Sequence, residues 1–524
     1  MVELIKRNIH MDCVKCRAFT QMTLEDDVII SDSRPDAAKL ILDRGNMVID
    51  EVKVTDDHVA VKGRLEFHVL YLTEKMGGQE GKSDVACMDG AVPFDEMVFM
   101  EGVKSGDSVG VDWEIEDLSI GLINSRKISV KSLAGLSLSC EEICDEETAV
   151  DLRSEEPIEF RKKTLNVAAM VVKKKDIFRI KEEVEIPGSF PNITSMIWSE
   201  ITPGTVEFKV LDDKIALQGE LHAFFLYRGE GDEEEICHYE TTLPFAGSLE
   251  CPGCREGMIP EIRLRAESRE VEVRPDFDGE ERVITFEQSL DLDICVYEED
   301  SIDLLSDVYG VVKEVSVQEK NAEFRRLQAK CSGKAKAAGH FKVQEENTMI
   351  HKILHTACDL QIGEKNAVEG GIELSGTVEL QIFFECSSEG EKYGVIRGSV
   401  PFQYLLETDG TLEDCIYPVN ACVDQVTVAI IDNKEVDVKC VLYFRANIYR
   451  QWKEKIVEQI LVSEPDMEKM AALPGIAVYM VREGESLWDI GKRYYVPVST
   501  ILQTNNLSSD EVKAGDKILI VKGM

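Results

Sequence analysis

The stretch VAVKGRLEFHVLYL, residues 59–72, alternates polar and apolar side chains after a glycine. Two later stretches repeat it: IALQGELHAFFLYR at 215–228 and IELSGTVELQIFFE at 372–385. Counted from Gly63, Gly219 and Gly376, apolar residues fall at the second, fourth, sixth and eighth positions. They are Leu65, Phe67, Val69 and Tyr71, then Leu221, Ala223, Phe225 and Tyr227, then Val378, Leu380, Ile382 and Phe384. A period of two marks a β-strand with one buried face. The glycine marks a bulge or a close backbone approach.

Other landmarks recur around this strand. Phe19, Phe178 and Phe341 precede it, and Pro93-Phe94, Pro244-Phe245 and Pro401-Phe402 follow it. Pro35 and Pro191 stand upstream in the first two copies, where the third has Asn347. The glycines lie 156 and 157 residues apart, a domain-sized period unlike the roughly 20–50 residues of solenoid repeats. Each copy closes on a strand-like run: KISVKSLAGLSLSC, VITFEQSLDLDICVY and VDVKCVLYFRANIY. The expected fold class is therefore mainly β, with three tandem antiparallel, sandwich-like repeat domains at 1–150, 151–312 and 313–465. Acidic connectors such as EEICDEETAVDLRSEEP separate them.

A fourth unit, 476–522, has a different pattern. IAVYMV alternates as a strand, and Ser486 with Asp489 forms a capping box at a helix start. Leu487, Ile490, Gly491 and Tyr494 make an amphipathic stripe. Pro497 interrupts, Ser499 is placed to cap a second helix with Val498, Ile501 and Leu502 inward, and Asn505-Asn506 end it. AGDKILIV supplies a closing strand, giving βααβ.

The bulk numbers restrict the function. The net charge is −40, from 99 acidic against 59 basic residues. That opposes nucleic acid and anionic membrane surfaces, which need clustered Lys and Arg. The tail from Ile476 carries six acids and six bases, so the charge sits on the body. The opening MVELIKRNIHMDCVKC has no signal-peptide core, and no run approaches a membrane span. The expectation is a cytosolic protein with no membrane insertion. Its 15 cysteines then read as reduced thiols.

Candidate chemistry is sparse. GDSVG, residues 106–110, matches a nucleophile elbow, but VDWEIEDLSIGL after it alternates as a strand where the elbow needs a helix. His10, Cys13 and Cys16 are a weak metal-ligand candidate without a second Cys pair at finger spacing. CPGC at 251–254 reads as a tight turn. His351 and His355 could share a helix face at i, i+4, but no Glu sits in a zincin position and the aligned segments of the other repeats hold no His, so a surface or partly buried role is the better reading. No phosphate loop or dinucleotide fingerprint occurs. The reading is a non-enzyme with no cofactor.

The tail resembles the LysM domain through Tyr479, Val481, Gly484, Ser486, Leu487, Ile490, Tyr494, Val496, Val498, Asn505, Leu507, Gly515, Ile518 and Ile520. Glu485 stands where that family usually has Asp, and Gly491 where it usually has Ala. The resemblance implies an N-acetylglucosamine-binding groove between two loops. One is Gly484, Glu485, Ser486 and Leu487; the other is Asn505, Asn506, Leu507 and Ser508. Repeats and tail together resemble the SipL/SpoVID-type spore coat morphogenetic proteins, with tandem SPOCS domains. That resemblance implies a mother-cell cytoplasmic scaffold at the forespore surface. Its implied partners are a SpoIVA-like coat basement ATPase and other coat proteins, with peptidoglycan glycan as the alternative.

Overall fold

A computed structural model describes residues 2–74, 84–231, 235–343, 348–386, 392–465 and 467–522; Asn347 and the side chain of Cys13 lie outside this set. In the first repeat the strands are β1 (Val2–Ile29), β2 (Ala37–Thr55), β3 (His58–Thr73), β4 (Val85–Phe99), β5 (Val109–Asn124) and β6 (Lys127–Ser154). They form two sheets, ordered β1-β6-β5 and β2-β3-β4, all antiparallel. The first strand pairs with the last, so each repeat closes on itself. A core of Leu65, Phe67, Val69, Tyr71, Val130 and Leu136 lies between the sheets.

The second repeat runs β7 (Ile158–Glu185), β8 (Ile193–Pro203), β9 (Glu207–Leu211), β10 (Lys214–Gly229), β11 (Ile236–Glu250), β12 (Ile259–Pro275) and β13 (Glu281–Gly310). Pro203-Gly204 splits into β8 and β9 what is one strand in the other repeats. The third runs β14 (Glu314–Lys342), β15 (Ile350–Val368), β16 (Gly371–Cys386), β17 (Tyr393–Glu407), β18 (Cys415–Ile416), β19 (Val419–Asp432) and β20 (Glu435–Ser463). The sandwich recurs in both, with sheets β12-β13-β7 and β11-β10-β8, then β14-β20-β18 and β15-β16-β17.

Two sequence landmarks prove to be one contact. Gly63 pairs across strands with Phe94, Gly219 with Phe245 and Gly376 with Phe402. Each ring covers the glycine, so the glycine marks close approach. A methyl added at Gly63 would stand 2.3 Å from the Val48 carbonyl oxygen, and at Gly376 2.1 Å from that of Gln361. At Gly219 the nearest atoms, the Phe245 ring and the Thr205 oxygen, are 3.0 Å away.

The alternating strand is more than half-buried. Its even positions fill its own sandwich, as expected. From the fifth position on its odd residues, Leu70, Leu72, Phe224, Leu226 and Phe383, enter a separate core with Ile41, Trp198, Leu354 and Tyr393. That core draws on all three repeats.

Charged groups ring it. Arg44 of the first repeat pairs with Glu200 of the second (2.6 Å) and with Asp359 of the third. His355 of the third contacts Glu200 through Nε2 (3.1 Å) and Glu240 through Nδ1 (3.3 Å), and stacks on Phe224 at 3.8 Å. Arg397 of the third pairs with Asp43 of the first, and Arg228 of the second with Asp84 of the first (2.9 Å). His351 and His355 share no helix face: both lie on β15, His351 at the surface and His355 buried between repeats.

The outer strands β1, β6, β7, β13, β14 and β20 are 28 to 30 residues long. They outrun the sandwiches as three two-stranded ribbons, packed together through Ile9, Met11, Leu165, Ile302, Phe324 and Ile456. Val2 pairs with Ser154, Ile158 with Gly310 and Glu314 with Ser463, which puts both inter-repeat connectors at the ribbon tips.

Two predictions follow the packing. Alanine at Gly63 or Gly376 overpacks against backbone and lowers stability by about 1–3 kcal/mol, with a smaller loss at Gly219; thermal melts of the three variants read the order. The junction, in turn, is pH-dependent from both sides. Burial opposes ionisation of Glu200, but Arg44 and His355 outweigh it and hold the carboxyl below its usual range. Its contribution is complete above the ordinary carboxyl value and lost as pH falls through the folded one. Burial likewise lowers His355, but Glu200 and Glu240 outweigh it and raise the imidazole. That contribution is complete below the ordinary value and lost as pH rises through the folded one. The junction is firmest between about pH 4.5 and 6.5. Glu200→Gln strips Arg44 and His355 of a shared carboxylate and costs about 3–5 kcal/mol. In urea titrations the deficit is largest near pH 6 and narrows as pH rises past the His355 value.

Candidate binding site in the tail module

The tail consists of α1 (Met467–Ala472), β21 (Ile476–Met480), α2 (Leu487–Tyr494), α3 (Val498–Thr504) and β22 (Lys517–Val521), with β21 and β22 antiparallel. The βααβ unit from β21 onward has its own core: Val481, Leu487, Ile490, Val496, Ile501, Ile518 and Ile520. The capping box is present, with the Ser486 hydroxyl accepting from the Asp489 amide and the Asp489 carboxylate accepting from the Ser486 amide. Helix α3 differs from expectation. Pro497 occupies its N-cap and Ser499 lies inside the helix, because proline's fixed φ already starts the turn.

The eight loop residues divide by role. Leu487 is fully buried and Leu507 packs on the same core, which fixes the two loops relative to each other. Asn505 bridges to β22: its amide nitrogen donates to the Ile501 and Leu519 carbonyls (both 2.8 Å), and its oxygen accepts from the Leu519 amide (2.7 Å). Glu485 accepts from the Tyr479 hydroxyl, Arg493 (2.7 Å) and the Arg482 amide (3.1 Å). Those hydrogen bonds, Tyr479 first and then Arg493, hold its carboxyl at about 2. The longer side chain, Glu in place of Asp, thus reaches a tyrosine and an arginine together. Gly484 (φ +80°) and Asn506 (φ 51°) adopt left-handed turns, and both are exposed, as is Ser508. Gly484, Asn506 and Ser508 therefore carry the open surface of the loops, and the other five hold the loops in shape.

The opposite side of α2 is occupied by the body. Trp488 Nε1 donates to Asp307 Oδ2 (2.7 Å), and Lys492 donates to both Asp307 oxygens (2.6 and 2.8 Å). The Trp488 ring meets Tyr309 edge-on at 4.8 Å, with the Arg161 guanidinium 5.6 Å from its centroid. The Tyr309 hydroxyl donates to the Val496 carbonyl (2.9 Å), and Tyr495 donates to Glu314 (2.9 Å). A methyl at Gly491 would stand 2.7 Å from both the Tyr309 oxygen and the Val496 carbonyl. The glycine that replaces the usual alanine is the opening through which Tyr309 reaches the helix.

Sequence reading did not find this contact. Its signals were Trp488, a large aromatic off the stripe formed by Leu487, Ile490, Gly491 and Tyr494, and Gly491 itself, a departure from the usual alanine.

The remaining candidates are dispersed. His10 sits on β1 beside Asp145. Six residues of extended strand hold it roughly 20 Å from Cys16, which pairs across strands with Cys140. His10 and Cys16 are not brought together. Asp107, Cys140 and Glu142 lie close enough to share an ion, but the Lys15 ammonium already bonds both carboxylates (2.7 and 3.0 Å). Ser108 leads into β5, without an elbow helix. CPGC is a tight turn with Gly253 at φ +90°, as read; its two buried cysteines are joined as a disulfide, which departs from the all-thiol expectation.

Comparison with known families agrees with this division. The SipL SPOCS-domain model matches residues 36–123, 192–274 and 349–431, once in each sandwich. The LysM-domain model matches 479–521. The chain is thus a tandem-SPOCS protein with a LysM tail. That order of domains is the SipL-type architecture, in which sporulation is implied and both domain types are binding domains. The SPOCS matches span β2 to β5 and their counterparts, and the long ribbons lie outside them. No curated protein and no solved structure matches the chain. Among the described residues, no helix is long and apolar enough to cross a membrane.

Trp488→Ala or Gly491→Ala is expected to undock the tail. Amide exchange should accelerate at 305–311 and in α2, while the three sandwich cores keep their protection.

Proposed function

We propose that this protein is a non-enzymatic scaffold of spore coat assembly, which tethers a SpoIVA-like coat basement ATPase at the forespore surface, in the mother-cell cytoplasm, and uses its LysM tail as the docking module. The observation that carries this reading is the joining of three SPOCS domains to one LysM domain in a single chain. The domain content by itself defines a sporulation-related coat or cell-wall-binding protein. Seating of the module on the ribbon tips supports the finer reading, because a docked module transmits the position of its partner to the body. The exposed loop atoms, at Gly484, Asn506 and Ser508, are small and polar. They suit backbone and amide recognition, which serves a protein or an acetamido sugar alike, so peptidoglycan is the competing ligand.

The test compares the full chain with a chain ending at residue 465, whose sheets contain no tail strand. Each is mixed with purified coat ATPase and with purified peptidoglycan. The full chain should retain the ATPase and the shortened chain should not. Pelleting with peptidoglycan and no retention of the ATPase would transfer the function to the cell wall or cortex.

A further inference from the structure

The β12–β13 hairpin breaks the symmetry of the repeats. In the first repeat Asn124 pairs with Lys127 across a two-residue turn, and in the third Asp432 pairs with Glu435. In the second, Pro275 pairs with Glu281, leaving residues 276–280 as a five-residue loop. The second copy is correspondingly longer over the span that holds this hairpin. Pro93 to Arg126 and Pro401 to Lys434 are both 33 positions, but Pro244 to Arg282 is 38. The base of the hairpin is shared. Arg126 donates to the Ser31 and Arg34 carbonyls, and Arg282 to those of Ile186, Pro187 and Phe190. Only the tip differs.

At that tip Phe277 is wholly exposed, at 106 % of its reference area. The loop that presents it is tied down. Asp276 Oδ1 accepts from the amides of Asp278 (2.9 Å) and Glu280 (3.0 Å), and the Asp276 amide donates to the Glu280 carbonyl (2.8 Å). Gly279 completes the turn at φ +84°. A phenylalanine left in water forgoes about 1.5–3 kcal/mol of burial, and here it is held out on an ordered loop. Asp276, Asp278, Glu280 and Glu281 flank it in sequence; Glu280 pairs with Arg282 at the base (2.8 Å) and Arg274 with Glu272 (2.7 Å), which leaves Asp278 and Glu281 as the acidic groups beside the ring. The other two tips carry Ser125-Arg126 and Asn433-Lys434. An aromatic knob with an acidic collar complements an apolar pocket rimmed by Lys and Arg. The same collar is repelled by an anionic lipid surface.

Strand β13 starts at this loop and ends at Gly310, one residue past Tyr309, which holds the LysM module. Its 30 residues give a contour of roughly 100 Å. We propose that the Phe277 hairpin is a second docking element, specific for a basic protein surface with an apolar pocket, at the end of the body remote from the LysM module. One chain would then hold two partners at a fixed separation along one strand. This inference does not depend on which ligand the LysM module takes.

The test places p-benzoylphenylalanine at position 277 of the full chain in sporulating cells, with the same probe at Ser125 and Asn433 as controls. Expected is one dominant adduct at 277, about tenfold above the controls, in line with the affinity a buried phenylalanine supplies. Mass spectrometry should map the link to an apolar residue flanked by Lys or Arg, and Asp278→Asn with Glu281→Gln should weaken the adduct. Adduct at control level, a link to lipid or to a second copy, or indifference to the lost charges overturns the proposal. So does a several-degree fall in melting temperature for Phe277→Ser, since the ring would then be structural.

Discussion

The constraint on which the structure depends is that one strand per repeat is buried on both faces. In β3, β10 and β16 the even positions close a sandwich, and the later odd positions close the core that joins all three sandwiches. A polar residue at Leu70, Phe224 or Phe383 would leave each sandwich intact and weaken the core between them, leaving the ribbon packing as the remaining apolar contact among the repeats. Because hydrophobic burial is non-directional, this common core does not by itself fix the order of the repeats. The charged ring around it does. Arg44, Glu200 and His355 come from three different repeats and fit in only one arrangement, since a mispaired charge at such depth is strongly disfavoured.

Most of the sandwich was legible in the sequence because its determinants are local. Period-two alternation survives in any antiparallel sheet, and a glycine beneath a phenylalanine leaves two marks at a constant offset. Even the variation between copies is readable afterwards. The Tyr71 and Tyr227 hydroxyls donate to the Pro35 and Pro191 carbonyls (3.1 and 3.4 Å), and the third copy has Phe384 and Asn347 in place of both members. The common core was half visible: HVLYL, AFFLYR and IFFE stop alternating where the second face becomes buried. The charged ring was not visible at all, because Arg44, Glu200 and His355 are far apart in sequence and each looks like an ordinary surface residue.

The tail shows the same limit in smaller form. The cap of its first helix and its stripe were read from spacing, since they are contacts within one module, whereas the Ser499 cap was not borne out. Its two departures from the LysM pattern could not be explained until their partners were in view. Glu485 answers to Tyr479 and Arg493 inside the module, and Gly491 answers to Tyr309 outside it. The first departure is internal tuning. The second ties a small recognition fold to a particular body.

That tie changes what the tail can do. A LysM domain on a loose linker samples every orientation, and its loops act as an independent ligand-binding unit whose reach is set by the linker. Held by Trp488, Lys492 and Tyr495 against Asp307, Tyr309 and Glu314, it presents its exposed loop residues from a fixed position instead. The seat is partly electrostatic. Burial opposes the charge on Asp307, but Lys492 and Trp488 outweigh it and keep the carboxylate ionised. Since Asp307 and Tyr309 belong to β13, any force on the tail is borne directly by the strand that runs through the core of the second repeat. A partner bound at the end thus has a defined place relative to the body that carries it.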